Sequence, residues 1–407
     1  MWAPGMPRSQ TLPGPPSANP LIDRAPTPAY RQDVSRSPAD EFKASDVALV
    51  HDYLLVMRGA ERTFASIADM WPSAPVYTLV YDAVATEQRF AQHPVCTSML
   101  QRTGISQAAF RTLLPLYPTA MARLPVRDHR IVISSSSAFA LGARVSEGAF
   151  HLCYCHSPFR YAWFEQRRAL AEIPVALRPI LAITLSAIRR WDLAAAARVS
   201  HFVANSRLTQ QRIRQIYGRP ARVVHPPVEV DRFYGGEAED YFLVVGELVS
   251  HKGVEIAAQA AEVAGCRLKV VGGGPESARL EAQYGNRIEF VGRVGDDELE
   301  RLYASALAVV VPGIEEFGIV AVEAQAAGKP VLAARGGGAL ETVVEGVTGH
   351  FVEPGDLSSL TRAMRDFRTG DYDSGVIREH ALRFSLAAFQ AKIYEELAES
   401  LNSARAD

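Results

Sequence analysis

Cysteine is scarce: Cys96, Cys153, Cys155 and Cys266 are the only four in 407 residues. That is too few for a disulfide framework at this length and points to a reducing, cytoplasmic compartment. Long apolar runs are also missing, because every candidate is broken by Arg or Pro, so no membrane span is expected. The N-terminus lacks a basic patch followed by an apolar stretch, which argues against a secretory signal. No helix-turn-helix, zinc-finger or ribonucleoprotein pattern accompanies the basic residues, so nucleic acid is an unfavoured partner. What remains is a composition of 48% hydrophobic and 22% charged residues, ordinary for a soluble protein. The length is more than one core normally accommodates, so two domains are expected.

Residues 1–44 hold nine of the 25 prolines and few large apolar side chains; this composition predicts a disordered tail. From Asp46 onward, short apolar runs alternate with helical patterns. "VALVHDY", "APVYTLVYD", "RIVISSS", "FHLCYCHS", "HFVANS" and "ARVVHPPV" read as strands. Gly59 to Met70, Ala182 to Arg198 and Leu208 to Tyr217 read as helices. A second series begins after "HPPVEVDRFYGG", with strands "YFLVVGEL", "LKVVGGG", "IEFVGRV", "ALAVVVPG", "PVLAA" and "GHFVEP". Continuous Val/Leu/Ile runs indicate strands buried on both faces, hence parallel sheets covered by helices. The expected fold is α/β, with two Rossmann-like domains facing across a cleft. The first spans residues 45–224 and the second 225–384. Beyond them lies a helix over 385–407 with Phe389, Ile393 and Leu397 at helical spacing.

Charge is unevenly placed. Residues 101–224 carry 18 Lys+Arg against 5 Asp+Glu, a balance of +13, although the whole chain is at −2. Such asymmetry suggests an anionic surface or a phosphorylated acceptor. Within this region "SQAAFRTLLPLYPTAMARLPVR" and "RRALAEIPVALRPILAITLSAIRRWD" mix arginines with Phe, Leu, Ile and Tyr, as interfacial helices do. Amphipathic helices covering a sheet would read the same way.

The stretch "EEFGIVAVEAQAAGKPV" carries the chemistry. It places Glu315 in a loop after a strand and Glu323 inside the following helix, which starts near Gly318. A helix start offers unpaired amides and a positive dipole end to a phosphate, and Gly318 lets a ligand approach the backbone. Carboxylates flanking that point suit sugar hydroxyls, since each accepts from two neighbours. Taken singly, either glutamate would be ordinary and solvated.

"E-x-F-G-x-x-x-x-E-A-x-A-x-G-x-P-V" resembles the donor-site signature of glycosyltransferase family 4, retaining enzymes of GT-B fold. "HDYLLVMRGAERTF", "HLCYCHSPFRYAWF", "FVANSRLTQQRIRQIYG", "VVHPPVEVDRF", "GELVSHKGVEIA" and "GGGALETV" are similar, in the same order, to members that attach mannose to lipid-linked oligosaccharides. The resemblance implies that Glu323 holds the ribose and Glu315 the transferred sugar. The amides of Phe317, Gly318 and Ile319 would lie on sugar and diphosphate. Lys252 would neutralise the departing diphosphate, His156 would face the donor sugar, and Gly59 with Ala60 would cover the diphosphate. Arg160 and Tyr161 would touch the acceptor. Glu247 stands where such enzymes usually carry an arginine, with Arg293 as a substitute. The implied reaction moves a hexose, mannose from GDP-mannose, onto a polyprenyl-diphosphate oligosaccharide, without metal or cofactor, at the inner face of the plasma membrane. A UDP-sugar donor, a phosphorylase or synthase of the same fold, and a non-catalytic sugar-nucleotide sensor remain open.

Three features look like sites and are read otherwise. "CYCH" lacks the second ligand pair of a zinc site, and Cys153 and Cys155, two apart on a strand, belong in a core. "DYD", Asp371 and Asp373, sits in a polar loop away from the expected cleft. "VVGGGPE" lacks the spacing of a nicotinamide fingerprint.

Overall fold

Thirteen strands assemble into two sheets, each wholly parallel, in the computed structural model, which describes residues 43–103 and 110–406. Most of the expected tail over 1–44 lies outside the described residues, as do residues 106–109 of the first arginine-rich amphipathic stretch. The first sheet contains β1 (Val47–His51), β2 (Val76–Thr78), β3 (Val95–Thr97), β4 (Ile131–Ser136), β5 (Phe150–Cys155), β6 (His201–Ala204) and β7 (Arg222–Val223). Its order is β3-β2-β1-β4-β5-β6-β7. The second contains β8 (Phe242–Val245), β9 (Leu268–Val271), β10 (Glu289–Gly292), β11 (Ala308–Val311), β12 (Val331–Ala334) and β13 (Gly349–Val352). Its order is β10-β9-β8-β11-β12-β13.

Burial on both faces explains the uninterrupted apolar runs. In β1, Val47 and Leu49 join one core while Ala48 and Val50 join the core on the opposite face. In β8, Leu243 faces one core and Phe242 and Val244 the other. Parallel pairing then follows, because the covering helices supply the crossovers.

The strand order reverses direction between β1 and β4 in the first sheet and between β8 and β11 in the second. Loops leaving the carboxyl ends of strands at such a switch point diverge and open a crevice. The loops that carry Gly59, Lys252 and Glu315 leave β1, β8 and β11.

The sequence reading differs from the structure at two elements. Strand β3 was not expected: it is three residues long, partly exposed and at the sheet edge, so it lacks the apolar run that marked the others. The helix expected from Ala182 begins at Arg178 and runs to Ala196, with Pro179 in its first turn. Proline is tolerated there because a first-turn amide has no intrahelical acceptor to lose.

The chain passes between the sheets twice, and the two passages are bonded to one another. Val228 and Ser385 form a parallel bridge, and the Val228 amide donates to the Phe384 carbonyl at 2.9 Å. The helix after this second passage, Leu386–Ala406, buries Phe389, Ile393 and Leu397 against Val47, Leu49 and Phe64 of the first sheet's core. Among the described residues no helix is long and apolar enough to cross a membrane.

Candidate active site

The second sheet's switch point brings Lys252 and Glu315 together. Lys252 ends a short turn, Ser250–Lys252, and is followed by Gly253 at φ +70 before the helix Val254–Ala264. Its Nζ lies 2.6 Å from Glu315 Oε1. The turn is seated by Gly313, where an added Cβ would stand 2.6 Å from the His251 carbonyl oxygen.

Gly318 caps the helix Ile319–Ala326 with φ +84, and a Cβ there would meet nothing within 4 Å. The left-handed backbone favours glycine, and among the described residues none comes within 4 Å of where its side chain would begin. Glu323, on the second turn, is partly buried, and its Oε2 accepts from the Tyr303 hydroxyl at 2.7 Å. Burial raises the Glu323 carboxyl above its ordinary range; the Tyr303 hydrogen bond and the charges of Arg62 and Arg232 oppose that rise. Burial also raises the Tyr303 phenol, with the charges of Glu323 and Glu315 adding to it, so the hydroxyl stays protonated as a donor. Phe317 is buried, its ring stacked on His225 at 5.4 Å and edge-on to Phe384 at 5.6 Å.

The triple glycine Gly336–Gly338 supports this loop from behind. A Cβ on Gly337 would come within 2.1 Å of the Glu315 carbonyl oxygen, and one on Gly338 within 2.2 Å of Phe317 Cα. The Gly338 amide donates to the Glu315 carbonyl at 2.8 Å. Only residues without side chains let the two backbones approach this closely.

The first sheet presents Gly59 to the seam, and His156 stands at the carboxyl end of β5. Gly59 is the first residue of the helix Gly59–Ala68, and a Cβ there would stand 3.1 Å from Ile319 Cδ1. The small residue thus lets one sheet's loop reach the other's helix end. His156 directly follows β5; its Nε2 lies 2.8 Å from Ser135 Oγ, and its ring is edge-on to Tyr154 at 5.1 Å. Burial, aided by the Arg160 charge, pushes His156 down to about 3. It is therefore neutral and suited to a hydroxyl rather than to a phosphate.

Polar contacts cross the seam around this group. Arg160 and Arg212, both from the first sheet's side, reach Glu316 at 2.7 and 3.0 Å. Arg168 Nη1 lies 3.3 Å from His251 Nδ1. Glu341 accepts from the Arg207 amide at 2.8 Å and lies 2.9 Å from His225 Nε2. Arg58 stands 3.7 Å from Glu247; both are exposed, so this pair contributes little. A narrow crevice beside Glu323 is lined from the first side by Arg62 and Ser66 and from the second by Arg232 and Ile319.

Residues 232–383 match the family model of glycosyl transferases group 1. The fold is GT-B. Anabaena Alr3699/HepE, solved in complex with UDP, superposes with a TM-score of 0.63 at 19% identity, covering 86% of this chain and all of that one. D-inositol 3-phosphate glycosyltransferase 2 of Catenulispora acidiphila is 31% identical over 50% of this chain and 57% of its own length. The GDP-mannose-dependent alpha-(1-6)-phosphatidylinositol monomannoside mannosyltransferase of Mycolicibacterium smegmatis is 30% identical over 46% of this chain and 56% of its own. The chain spans little more than half the length of these last two relatives.

Within the GT-B frame, the residues singled out from the sequence separate into groups. Lys252, Glu315, Phe317, Gly318, Ile319 and Glu323 gather at one helix end. Gly59 reaches it from across the seam. Arg160 binds the signature loop itself through Glu316, and Tyr161 packs edge-on to Phe159 at 5.9 Å. Arg293 lies against Gly273, where a Cβ would stand 3.3 Å from its Nε. Asp373 caps the helix Ser374–Ala381, its carboxylate accepting from the Gly375 and Val376 amides. Cys153 and Cys155 are buried in one core with Phe202 and Leu141. Among the described residues no group of three or more His, Cys, Asp or Glu could hold a metal ion.

Sequence reasoning missed Tyr303, Arg62, Arg232, Glu316 and Arg212. Tyr303 sits 20 residues before Glu323 on another helix, and nothing in its local pattern marks it. Glu316 stood inside the quoted signature, and its charge next to Glu315 was the available signal.

Proposed function

We propose that this protein is a retaining hexosyltransferase that binds a sugar nucleotide at the end of the helix Ile319–Ala326. One observation carries the reading: Lys252 and Glu315 converge at 2.6 Å from the two loops that flank the second sheet's switch point. Beside them stands a helix end capped by Gly318, with room where its side chain would begin. A cation, a helix dipole and a hydroxyl-binding carboxylate at one cluster of loops match a diphosphate with a sugar attached.

In this reading Glu323, oriented by Tyr303, accepts the ribose hydroxyls. Glu315 accepts sugar hydroxyls, with neutral His156 opposite. The bond between the anomeric carbon and the diphosphate oxygen breaks, while the acceptor hydroxyl adds to the same face of that carbon. Its proton passes to the departing diphosphate, whose growing charge Lys252 and the helix amides stabilise. We take the donor to be GDP-mannose and the acceptor a polyprenyl-diphosphate oligosaccharide met at the inner face of the membrane. The mannosyltransferase among the relatives supports the sugar. The Lys252 and helix-end charges serve where a metal otherwise would, so chelation is expected to leave transfer unchanged.

A thermal-shift screen of GDP, GDP-mannose, UDP and UDP-glucose tests this. A ligand at 100 times its dissociation constant stabilises the form that binds it by about 2.7 kcal/mol. Stabilisation by the guanine pair is expected; stabilisation by the uracil pair replaces the base assignment, and no shift with any of the four overturns the proposal. Transfer of labelled mannose to a polyprenyl-diphosphate acceptor, rather than release or use of free sugar, separates a transferase from a phosphorylase or a sensor.

A further inference from the structure

We infer that the helical corner formed by residues 175–190 is a docking surface for an anionic bilayer. The short turn Val175–Leu177 leads into the 19-residue helix Arg178–Ala196. Val175, Leu177, Ile180 and Ile183 are 70%, 50%, 63% and 72% exposed. Large apolar side chains exposed singly are normal, but four within nine residues form a patch.

The periodicity explains their exposure. Leu185, Ile188 and Asp192 point inward and are buried. Ile180, Ile183, Ala187 and Arg190 follow at i, i+3, i+7 and i+10, which places them on one outward stripe of the same helix. The stripe facing solvent is therefore apolar at one end and basic at the other, where an ordinary covering helix would be polar throughout.

Charge identifies the occupant. Residues 166–190 contain five arginines and one glutamate, a balance of +4, inside a region at +13. Arg167 and Arg190 are exposed. Apolar side chains flanked by arginines match a lipid surface, where the former enter the acyl boundary and the latter meet anionic headgroups. The corner also borders the cleft: Arg168, on the preceding helix Gln166–Ala171, lies 3.3 Å from His251, the neighbour of Lys252. Docking through this face holds the crevice beside the membrane, where a lipid-linked acceptor presents its hydroxyl.

The inference rests on the lipid-linked acceptor proposed above, but its test involves no sugar nucleotide, so either can fail alone. The full chain is floated with vesicles of phosphatidylcholine alone and with vesicles containing phosphatidylglycerol. The wild-type protein is expected to bind only the second. Ile180→Glu combined with Ile183→Glu is expected to lower that binding about 100-fold while the circular dichroism spectrum and the unfolding temperature are kept. Arg167→Glu combined with Arg190→Glu is expected to weaken binding and flatten its salt dependence. Unchanged vesicle binding by the isoleucine variant overturns the assignment, as does no binding by the wild-type protein. A wild-type dimer in sedimentation that the isoleucine variant reduces to a monomer assigns the patch to a second copy instead.

Discussion

Replacing Asp192 by asparagine should reverse its effect on stability between acid and mildly alkaline pH. Asp192 is fully buried; its Oδ2 accepts from Trp163 Nε1 at 2.7 Å and from the Tyr217 hydroxyl at 2.8 Å, while Oδ1 has no partner among the described residues. Burial pushes the carboxyl from 3.8 to about 7, against the pull of those two hydrogen bonds. An acid whose folded value is raised binds more protons folded than unfolded between these two limits. Stability therefore falls as pH rises from about 4 to about 7 and is flat above. Three units at 1.36 kcal/mol each amount to about 4 kcal/mol lost over that window. Asparagine keeps an acceptor for both donors but puts an amide NH2 where Oδ1 found no partner, at a cost of about 1–3 kcal/mol at every pH. The variant should thus be about 1–3 kcal/mol less stable than wild type near pH 4 and more stable by a similar amount near pH 8. All four tryptophans precede residue 192, so fluorescence-detected urea unfolding reports on the first sheet's half of the chain. Glu61 is also raised to about 7 by burial, but its slope is common to both proteins and cancels in the difference. Parallel stability curves for the two proteins across this range would refute the reasoning.

Tyr303→Phe removes the hydroxyl that holds Glu323. Donor KM should rise about tenfold with a smaller change in kcat, in initial-rate measurements. Because burial raises the Glu323 carboxyl, donor affinity should fade on the acid side at a pH above the ordinary glutamate range; titration calorimetry against pH checks this, and an onset at or below that range contradicts it. Glu316→Gln should loosen both arginine contacts across the seam, enlarging the radius of gyration in solution scattering and lowering kcat/KM severalfold; an unchanged scattering curve counts against closure through Glu316. Gly338→Ala must displace the Phe317 backbone, since its Cβ would stand 2.2 Å from Phe317 Cα. A loss of about 1–3 kcal/mol and of donor-induced stabilisation is expected in thermal unfolding.

Local signals made much of the architecture legible. Runs such as "ALAVVV" declared strands buried on both faces, and Gly318 before an apolar run marked the helix end. The edge strand β3 was hidden because three partly exposed residues carry no apolar periodicity. The glutamates of the signature stood out as charges in an apolar setting. Lys252, the partner of Glu315, was also singled out; Tyr303, Arg212 and the Arg62 crevice were not, because they reach the glutamates through tertiary contacts that sequence spacing does not encode. The substitute charge expected from Arg293 turned on the same problem: its local sequence placed it at a strand end, but only the fold shows it against Gly273. Exposure of Ile180 and Ile183 was equally invisible, since an amphipathic pattern does not say whether its apolar stripe is covered.

The most direct measurement of the central claim is donor binding by Glu323→Ala in titration calorimetry, beside the wild-type protein. The site described here predicts that the variant stays folded yet binds the sugar nucleotide about 100-fold more weakly, as expected when a carboxylate that holds two ribose hydroxyls is removed. Undiminished affinity would place the nucleotide elsewhere and contradict the account.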